Sequence, residues 1–338
     1  GSAASGSGSR HHSTINHNQR MHRRNKYYLN PPNFAALASR DPSGFGALCE
    51  VDADGGCRVN WKDEKASHAL TRALMRADFG LEWEIPEGFL CPPIPQRCNY
   101  VHWIQDLLAG QLNSTLLDPW HIPIPKTAKG IDVGVGASCV YPLLGVKINP
   151  GWTFLGTDIC AEALNSAQAN VQRNGLDRAI SLRQVSASSR PLVSALQASD
   201  GSFDFSMCNP PFFKDVDEAR KASHVRTCAG REGELVCEGG EQQFVARLIE
   251  DSCELRERVG IYTSMLGHKA SLRACAAMAK QAGATMVAET EFYQGRTIRW
   301  GLAWSFKPSE GDAHQASHRF RSELAAADVA SALGGVVG

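Results

Sequence analysis

Residues 130–136 read Gly-Ile-Asp-Val-Gly-Val-Gly, a short apolar run that leads into two closely spaced glycines. This pattern predicts a buried strand followed by a tight turn and a helix. Glycines in such a turn let a ligand approach the backbone closely at the carboxyl end of the strand, where doubly wound sheets bind nucleotides. The dinucleotide pattern would place a third glycine at Cys139, so the turn fits S-adenosylmethionine (AdoMet) better than NAD. A turn without a ligand is the alternative; the candidate cofactor residues are Asp132, Gly134 and Gly136.

The stretch after Lys129 alternates short apolar runs with amphipathic helices. Strands are predicted at 130–134, 154–158, 180–185, 203–208 and 259–264, and helices at 161–173, 242–256 and 272–281. Strands separated by helices are typical of an α/β fold with a mostly parallel, doubly wound sheet. Two further runs, at 285–289 and 301–306, predict an antiparallel hairpin at the edge of that sheet.

The segment before this domain predicts a small, mostly helical module over residues 21–110, with a basic arm at its start. The run Pro31-Pro32-Asn33-Phe34 predicts the first turn of a helix, because proline is tolerated there. An apolar stripe over 63–79 predicts a second helix, 91–95 a proline-rich break, and 100–108 a short third helix. The α/β domain that contains this sheet is then expected over 111–307.

Both ends of the chain have compositions that differ from the middle. Residues 1–20 begin with a Gly/Ser/Ala run and are expected to be a vector-derived remnant and disordered leader. Residues 308–338 are expected to form a loose tail.

The arm between Arg10 and Lys26 carries five Arg or Lys residues and no acid. Such a segment either lies on phosphates or is a solvated, disordered tail, and composition alone does not separate the two. Candidate RNA contacts here are Arg20, Arg23, Arg24 and Lys26.

Overall composition excludes several classes of protein. The 338 residues are 43% hydrophobic and carry 35 basic and 35 acidic residues, so the chain is an ordinary globular one with no net charge favouring nucleic acid. No apolar run approaches the roughly 18 residues that a membrane span needs. The eleven cysteines include no Cys-x-x-Cys pair, so we expect no metal site and a reducing compartment.

Asp158 ends the second predicted strand, 22 residues after Gly136. An acid at that position can accept hydrogen bonds from both ribose hydroxyls of a nucleoside. An exposed Asp that caps the next helix is the alternative.

Residues 209–213 read Asn-Pro-Pro-Phe-Phe and follow the strand predicted at 203–208. This order suits chemistry on a planar amino group, because the Asn209 side-chain oxygen and the Pro210 carbonyl can each accept one amino hydrogen. The two bonds favour a tetrahedral nitrogen and free its lone pair, while the prolines fix the carbonyl and an aromatic ring stacks on the base. The candidate catalytic residues are Asn209, Pro210, Pro211 and Phe212, with Asn209 also near the cofactor. A Pro-Pro loop that only ends a strand is the alternative.

Directly after this motif, residues 214–240 show no helical or strand period and mix acids, bases and glycines. Long connections of this kind inside a compact domain are usually functional lids or disordered segments. The position next to the motif favours a mobile lid.

Four segments together resemble the methyltransferase-like protein 16 family of U6 small nuclear RNA adenine-N6 methyltransferases, which are related to bacterial 23S ribosomal RNA adenine-N6 methyltransferases. These segments are 97–103 (Arg-Cys-Asn-Tyr-Val-His-Trp), 130–145, 209–213 and 294–300 (Gln-Gly-Arg-Thr-Ile-Arg-Trp). The similarity extends from about Met21 to Phe306. It implies a class I Rossmann-like, AdoMet-dependent methyltransferase fold.

The resemblance also implies roles for single residues. Arg97, Gly134 and Asp158 match cofactor contacts of the family, with Arg97 at the carboxylate of AdoMet. Ser189 lies roughly where the family has a Thr near the cofactor. Arg296 and Arg299 match RNA-binding positions, and residues 214–240 match a mobile loop in position but not in composition.

The expected function is therefore AdoMet-dependent methylation of adenine N6 in RNA, at an unpaired or bulged adenosine of U6 or a similar structured RNA. The adenine must leave its stack to reach the methyl donor. Alternatives are a ribosomal RNA adenine methyltransferase and an RNA-binding module that senses AdoMet with little turnover. A protein-glutamine methyltransferase uses the same amide chemistry but would not need the basic arm. The resemblance favours the nucleus over the cytoplasm.

Overall fold

The structure is a computed structural model, and it describes residues 21–52, 56–110, 122–187, 190–219, 232–294 and 297–307. Its centre is a seven-stranded sheet with the order β5-β4-β3-β6-β7-β9-β8. The strands are β3 (Ala128–Val133), β4 (Trp152–Asp158), β5 (Ile180–Gln184), β6 (Phe203–Cys208), β7 (Val259–Leu266), β8 (Met286–Gln294) and β9 (Thr297–Ser305). A separate two-stranded hairpin joins β1 (Cys49–Val51) and β2 (Cys57–Val59).

The strand directions confirm the predicted α/β architecture. β3 to β7 pair in parallel, whereas β9 runs antiparallel to both β7 and β8. The chain leaves β3 for β4 and β5 on one side and then crosses to β6 on the other side of β3. The carboxyl ends of β3 and β6 therefore flank the switch point at which open α/β sheets bind ligands.

Helices cover both the sheet and the region before it. They are α1 (Phe34–Arg40), α2 (Glu64–Phe79), α3 (Ile94–Leu108), α4 (Val140–Ile148), α5 (Ala161–Arg173), α6 (Glu232–Leu235), α7 (Gly240–Leu255) and α8 (Lys269–Gln281). No helix in the described ranges is long and apolar enough to cross a membrane.

Several boundaries differ from the sequence predictions by a few residues, and α1, α3 and the edge hairpin show this most clearly. Asn33, not a proline, starts α1: its side chain accepts a hydrogen bond from the Ala36 amide at 3.0 Å, and the two prolines precede the helix. α3 begins at Ile94, because Pro95 lies in the first turn, where no amide hydrogen is needed. The strands of the edge hairpin, β8 and β9, are both longer than predicted.

The predicted N-terminal module packs directly against the sheet. Every residue of α3 from Ile94 to Leu107 is buried. One continuous hydrophobic core joins N-terminal residues such as Tyr27 and Leu74 to Trp152 and Phe205 of the sheet. The N-terminal module and the sheet consequently share a core, with α3 between them.

Candidate active site

A cavity of about 440 Å³ opens at the carboxyl edge of the sheet, next to the switch point. Its walls come from the turn after β3, the end of β4 and the residues after β6. The side chains of Arg97, Glu234 and Arg247 add charged groups, and Phe89, Val140 and Ile159 add apolar ones. A volume of this size suits a nucleoside-sized ligand.

The glycine turn forms one wall and is tied to β4 by its backbone. The amides of Gly134 and Val135 both donate to the Thr157 carbonyl at 2.9 Å. Gly134 has φ +76° and Gly136 has φ +64°, a left-handed conformation that strains any residue with a Cβ atom. No atom lies within 4 Å of where a Cβ of Gly134 would stand, so the backbone is open to the cavity.

Asp158 joins this turn to the start of α5. Its Oδ2 accepts the Gly136 amide and its Oδ1 accepts the Cys160 amide, both at 2.9 Å. Burial raises the pKa of this carboxyl, and the two amides partly oppose that effect. Asp158 is half-buried and lines the cavity, and it also binds the amide of Cys160, the N-cap of α5. Its role at the cofactor stays a prediction.

Arg97 reaches the cavity from α3 as a buried cation, with only 5% of its surface exposed. Its Nη1 donates to the Tyr141 hydroxyl at 2.9 Å and to Asn209 Oδ1 at 3.5 Å. Its Nε is buried without a hydrogen-bond partner in the described part of the chain. A buried guanidinium with an unused donor strongly favours an anionic ligand.

Asp132 lies in the strand that was predicted for it, with its side chain fully buried. It is 0% exposed and lies in β3, beneath the turn and outside the described cavity wall. Both carboxylate oxygens lack a partner among the described residues. Burial, followed by the charge of Asp158, raises its pKa to about 8, while Arg97 acts in the opposite direction. The predicted contact of Asp132 with the cofactor stays a prediction.

The residues after β6 form the opposite wall of the cavity. Asn209, Pro210 and Pro211 line it directly. Phe212 follows outside the described lining, with the guanidinium carbon of Arg299 5.0 Å from the centre of its ring. We call residues 209–212 the Asn209 loop.

The 214–240 segment has more structure than its sequence indicated. Phe213 pairs with Val236 in a parallel bridge: the Phe213 amide donates to the Leu235 carbonyl at 2.9 Å, and the Cys237 amide donates to the Phe213 carbonyl at 3.0 Å. Glu234 of α6 lines the cavity and accepts the Leu90 amide at 2.8 Å. The segment thus ends in ordered contacts with the site, which corrects the prediction of a stretch without helix or strand.

The predicted RNA contacts separate into different environments. Arg23 is exposed, whereas the Arg24 side chain is 8% exposed and its Nη2 lies 2.6 Å from Asp106 Oδ1. Lys26 is exposed and pairs with Asp78 at 2.8 Å. Asp106 and Gln105 hold the Arg24 side chain in a buried position, so Arg24 stabilises the arm against α3. It does not lie at the surface, where the predicted RNA contact would require it. Arg20, Ser189 and Arg296 lie outside the described residues.

Several site residues were missed by sequence reasoning. Tyr141 orients Arg97, and Glu234 reaches the cavity from the loop. Tyr141 lies in the first turn of α4, directly after the glycine turn, and this position was a usable signal. The sequence carried no signal for Glu234, since its position at the cavity depends on the pairing of Phe213 with Val236. In the described ranges no group of three or more His, Cys, Asp or Glu residues is arranged to hold a metal ion.

The sheet order, the glycine turn and the Asn209 loop at one cavity define a Rossmann-like methyltransferase fold. A family model described as RNA methyltransferase matches residues 15–308. This chain belongs to that RNA methyltransferase family.

Curated relatives support this membership. The chain is 42% identical over 299 residues to RNA N(6)-adenosine-methyltransferase mettl16 of Danio rerio, covering 86% of this chain and 60% of that protein. It is 36% identical to the U6 small nuclear RNA (adenine-(43)-N(6))-methyltransferase of Dictyostelium discoideum, covering 86% and 56%. It is also 36% identical to ribosomal RNA large subunit methyltransferase F of Pseudomonas putida, covering 89% and 99%. The chain thus spans little more than half the length of the two eukaryotic relatives.

Solved structures agree with the fold. The catalytic domain of human Mettl16 in complex with MAT2A 3′UTR hairpin 1 has a TM-score of 0.74 at 40% identity, covering 86% of this chain and 96% of that chain. The N-terminal domain of human METTL16 in complex with SAH has a TM-score of 0.70 at 40% identity, covering 85% and 99%.

Proposed function

We propose that this chain is an AdoMet-dependent methyltransferase that modifies N6 of adenosine in a structured RNA, with U6 small nuclear RNA as the expected substrate. The observation that carries the proposal is a single cavity that joins Arg97, Asp158 and Asn209. This arrangement supports a cofactor anchor at Arg97 and Asp158 beside an amine acceptor at Asn209.

The residues around the cavity fit AdoMet. Arg97 offers a buried, unused N–H to a carboxylate, and Asp158 offers carboxylate oxygens to ribose hydroxyls. Ile159, 52% exposed, offers an apolar surface beside Asp158 for a base. The relative solved with SAH, the product that AdoMet leaves after transfer, supports the same cofactor here. When bound, AdoMet supplies an electrophilic methyl group.

The Asn209 loop prepares the attacking nitrogen. The Asn209 amide oxygen and the Pro210 carbonyl accept the two amino hydrogens of adenine, which favours a tetrahedral nitrogen with its lone pair free. This lone pair would form the new N–C bond to the methyl group while the bond between the methyl carbon and sulfur breaks, leaving SAH, and the surplus proton would pass to solvent. The acceptors are most effective when the nitrogen is tetrahedral, so they stabilise mainly the transition state. Phe212 stacks on the extruded base.

RNA is the proposed substrate class because the family consists of RNA methyltransferases and because arginines lie near the Asn209 loop and on the arm. Arg299 lies against Phe212, and Arg23 is an exposed cation on the arm. RNA proteins read unpaired bases by stacking and edge contacts, so an unpaired or bulged adenosine is the expected target. A U6 substrate would place the protein in the nucleus.

Ribosomal RNA is the second candidate substrate. The observation in its favour is that the chain matches 99% of the Pseudomonas putida protein's length. A third possibility, an RNA-binding module that senses AdoMet with little turnover, requires that binding occurs without methyl transfer.

One experiment separates these functions. The protein is incubated with methyl-labelled AdoMet and either U6 RNA, a 23S ribosomal RNA fragment or a U6 RNA in which every adenosine is replaced, and the nucleosides are then analysed. We expect labelled N6-methyladenosine from U6 only. Label in the ribosomal fragment alone supports the second candidate, and binding of both ligands without any labelled nucleoside contradicts the proposed activity.

A further inference from the structure

Tyr100 is a fully buried tyrosine of α3 whose hydroxyl meets the end of β6. The Cys208 amide donates to its Oη at 3.3 Å. On its other side, the Oη lies 2.8 Å from Thr263 Oγ1 of β7. Thr263 in turn donates to the Ser206 carbonyl of β6 at 2.7 Å.

The Tyr100 Oη also lies 3.4 Å from the Cys208 carbonyl, which is a longer contact than the 2.8 Å to Thr263. The shorter contacts give the following assignment of hydrogens. Since the Thr263 hydroxyl hydrogen is used on Ser206, Thr263 can only accept from Tyr100, and the Tyr100 oxygen can then accept from Cys208. The result is a relay from the Cys208 amide through Tyr100 and Thr263 to the Ser206 carbonyl. We call these four linked groups the Tyr100 relay.

The Tyr100 relay connects β6 to β7 beyond the last residue pair of these two strands. Register pairs between these strands run from Phe203 opposite Val259 to Ser206 opposite Tyr262. Cys208 lies beyond the last of them and directly before Asn209, and on the other side of β6 it is still opposite Val133 of β3. Without Tyr100, the Cys208 amide would be a buried donor lacking this acceptor, which is costly.

The Tyr100 ring is itself held in place by aromatic neighbours. The ring of Tyr141 stands edge-on at 5.3 Å and that of Phe292 is tilted at 5.3 Å. A rigid ring transmits the position of α3 to the backbone at Cys208. That backbone sets the direction of the next side chain, the amide of Asn209.

We propose that the Tyr100 hydroxyl is a positioning group for methyl transfer: it fixes the carboxyl end of β6 so that Asn209 and Pro210 meet the target amine. Tyr100 touches neither substrate nor cofactor in this role. The inference rests on the proposed function, since it assigns Asn209 to the amine. It adds a residue outside the cavity wall to the catalytic geometry.

The test compares two tyrosines of equal burial. Tyr100→Phe removes only the relay hydroxyl. Tyr262→Phe is the matched control, because Tyr262 is also fully buried and its hydroxyl donates to the Arg256 carbonyl at 2.6 Å, away from the cavity. Melting temperature, SAH affinity and the rate of methyl transfer at saturating RNA and AdoMet are measured for each.

If Tyr100 is a positioning residue, its loss should lower the rate of methyl transfer without changing the affinity for the cofactor. We expect Tyr100→Phe to lower kcat about 10- to 100-fold with SAH affinity within twofold, and Tyr262→Phe to keep the wild-type kcat. Thr263→Ser retains the relay and should keep most of the rate, whereas Thr263→Val should resemble Tyr100→Phe. Equal kcat for folded Tyr100→Phe and wild type overturns the proposal, as does an equal fall in Tyr262→Phe.

A second readout does not depend on turnover. Amide hydrogen exchange at Cys208 should be faster in Tyr100→Phe than in wild type and unchanged in Tyr262→Phe. If wild type makes no methylated nucleoside, the proposed function fails, and this exchange result alone then decides the positional claim. Unchanged exchange at Cys208 in Tyr100→Phe overturns it.

Discussion

Nη1 of Arg97 lies 3.5 Å from Oδ1 of Asn209, so a buried cation from α3 and an amide from the Asn209 loop meet at one cavity wall. Arg97 is oriented by Tyr141, which belongs to the helix after the glycine turn. The groups proposed for the cofactor and for the amine are thereby coupled through α3. Ligands that carry only part of the cofactor should show which part each residue binds.

Arg97→Met should weaken SAH binding about 10- to 100-fold. A hydrogen bond between charged groups contributes about 1.5–3 kcal/mol, and 1.4 kcal/mol corresponds to a tenfold change. The control ligand is 5′-methylthioadenosine, which lacks the carboxylate and should bind the variant and wild type alike. Calorimetry that finds equal losses for both ligands contradicts the role of Arg97 at the carboxylate.

Asp158→Ala should weaken the binding of SAH and of 5′-methylthioadenosine by the same factor, about tenfold or more, because both ligands carry the ribose. Asp158→Asn keeps one acceptor oxygen and should lose less. Since Asp158 also binds the Gly136 amide, the melting temperature must be measured alongside the affinity. Wild-type affinity in a folded Asp158→Ala variant argues against ribose binding.

Asp132→Asn should raise the melting temperature of the ligand-free protein at high pH. The pKa of this carboxyl is about 8 in the folded protein against its ordinary 3.8, so its contribution to stability is fully present below about pH 4 and is lost as pH rises through about 8. An amide carries no charge and avoids this loss. The gain over wild type should therefore be larger at pH 9 than at pH 5.

The control for this pH series is Asp251→Asn. Asp251 is also 0% exposed, but its carboxylate accepts the amides of Leu192 at 2.7 Å and Val193 at 3.0 Å and binds Arg190. Its replacement should lower the melting temperature. Parallel curves of wild type and Asp132→Asn between pH 5 and pH 9 are incompatible with an elevated pKa at Asp132.

Adjacent arginines of the arm should behave differently. Arg23→Ala should weaken RNA binding and reduce the salt slope by about one without changing stability, because one phosphate contact is lost. Arg24→Ala should lower the melting temperature, because it leaves Asp106 with one partner fewer in a buried network. Thermal melts and RNA titrations at several salt concentrations measure both. A normal melting temperature in Arg24→Ala contradicts its structural role.

The sequence predicted those parts of the fold that depend on local pattern. α5 begins and ends where the amphipathic period predicted, and β6 does likewise, because both have clear apolar repeats and strong end signals. The glycine turn and Asp158 were predicted to bind the cofactor, and Asn209 was predicted to lie near it. In the structure all three line one cavity.

The features that the sequence did not predict depend on contacts between segments that are far apart in the chain. Arg24 and Lys26 have the same charge in the sequence, but only Arg24 meets Asp106, more than 80 residues away, at the buried surface of α3. The burial of Asp132 behind its own turn depends on neighbouring strands on both sides. Local residue type carries no signal for either outcome.

The central claim is that Asn209 prepares the amine for methyl transfer, and its most direct measurement is the single-turnover rate of Asn209→Ala at saturating RNA and AdoMet. We predict a fall of about 100-fold or more with both ligands still bound, because a positioned transition-state group is lost. Asn209→Asp keeps an acceptor and should retain more activity than the alanine variant. A rate for Asn209→Ala close to that of wild type would contradict the assignment of this loop as the catalytic site.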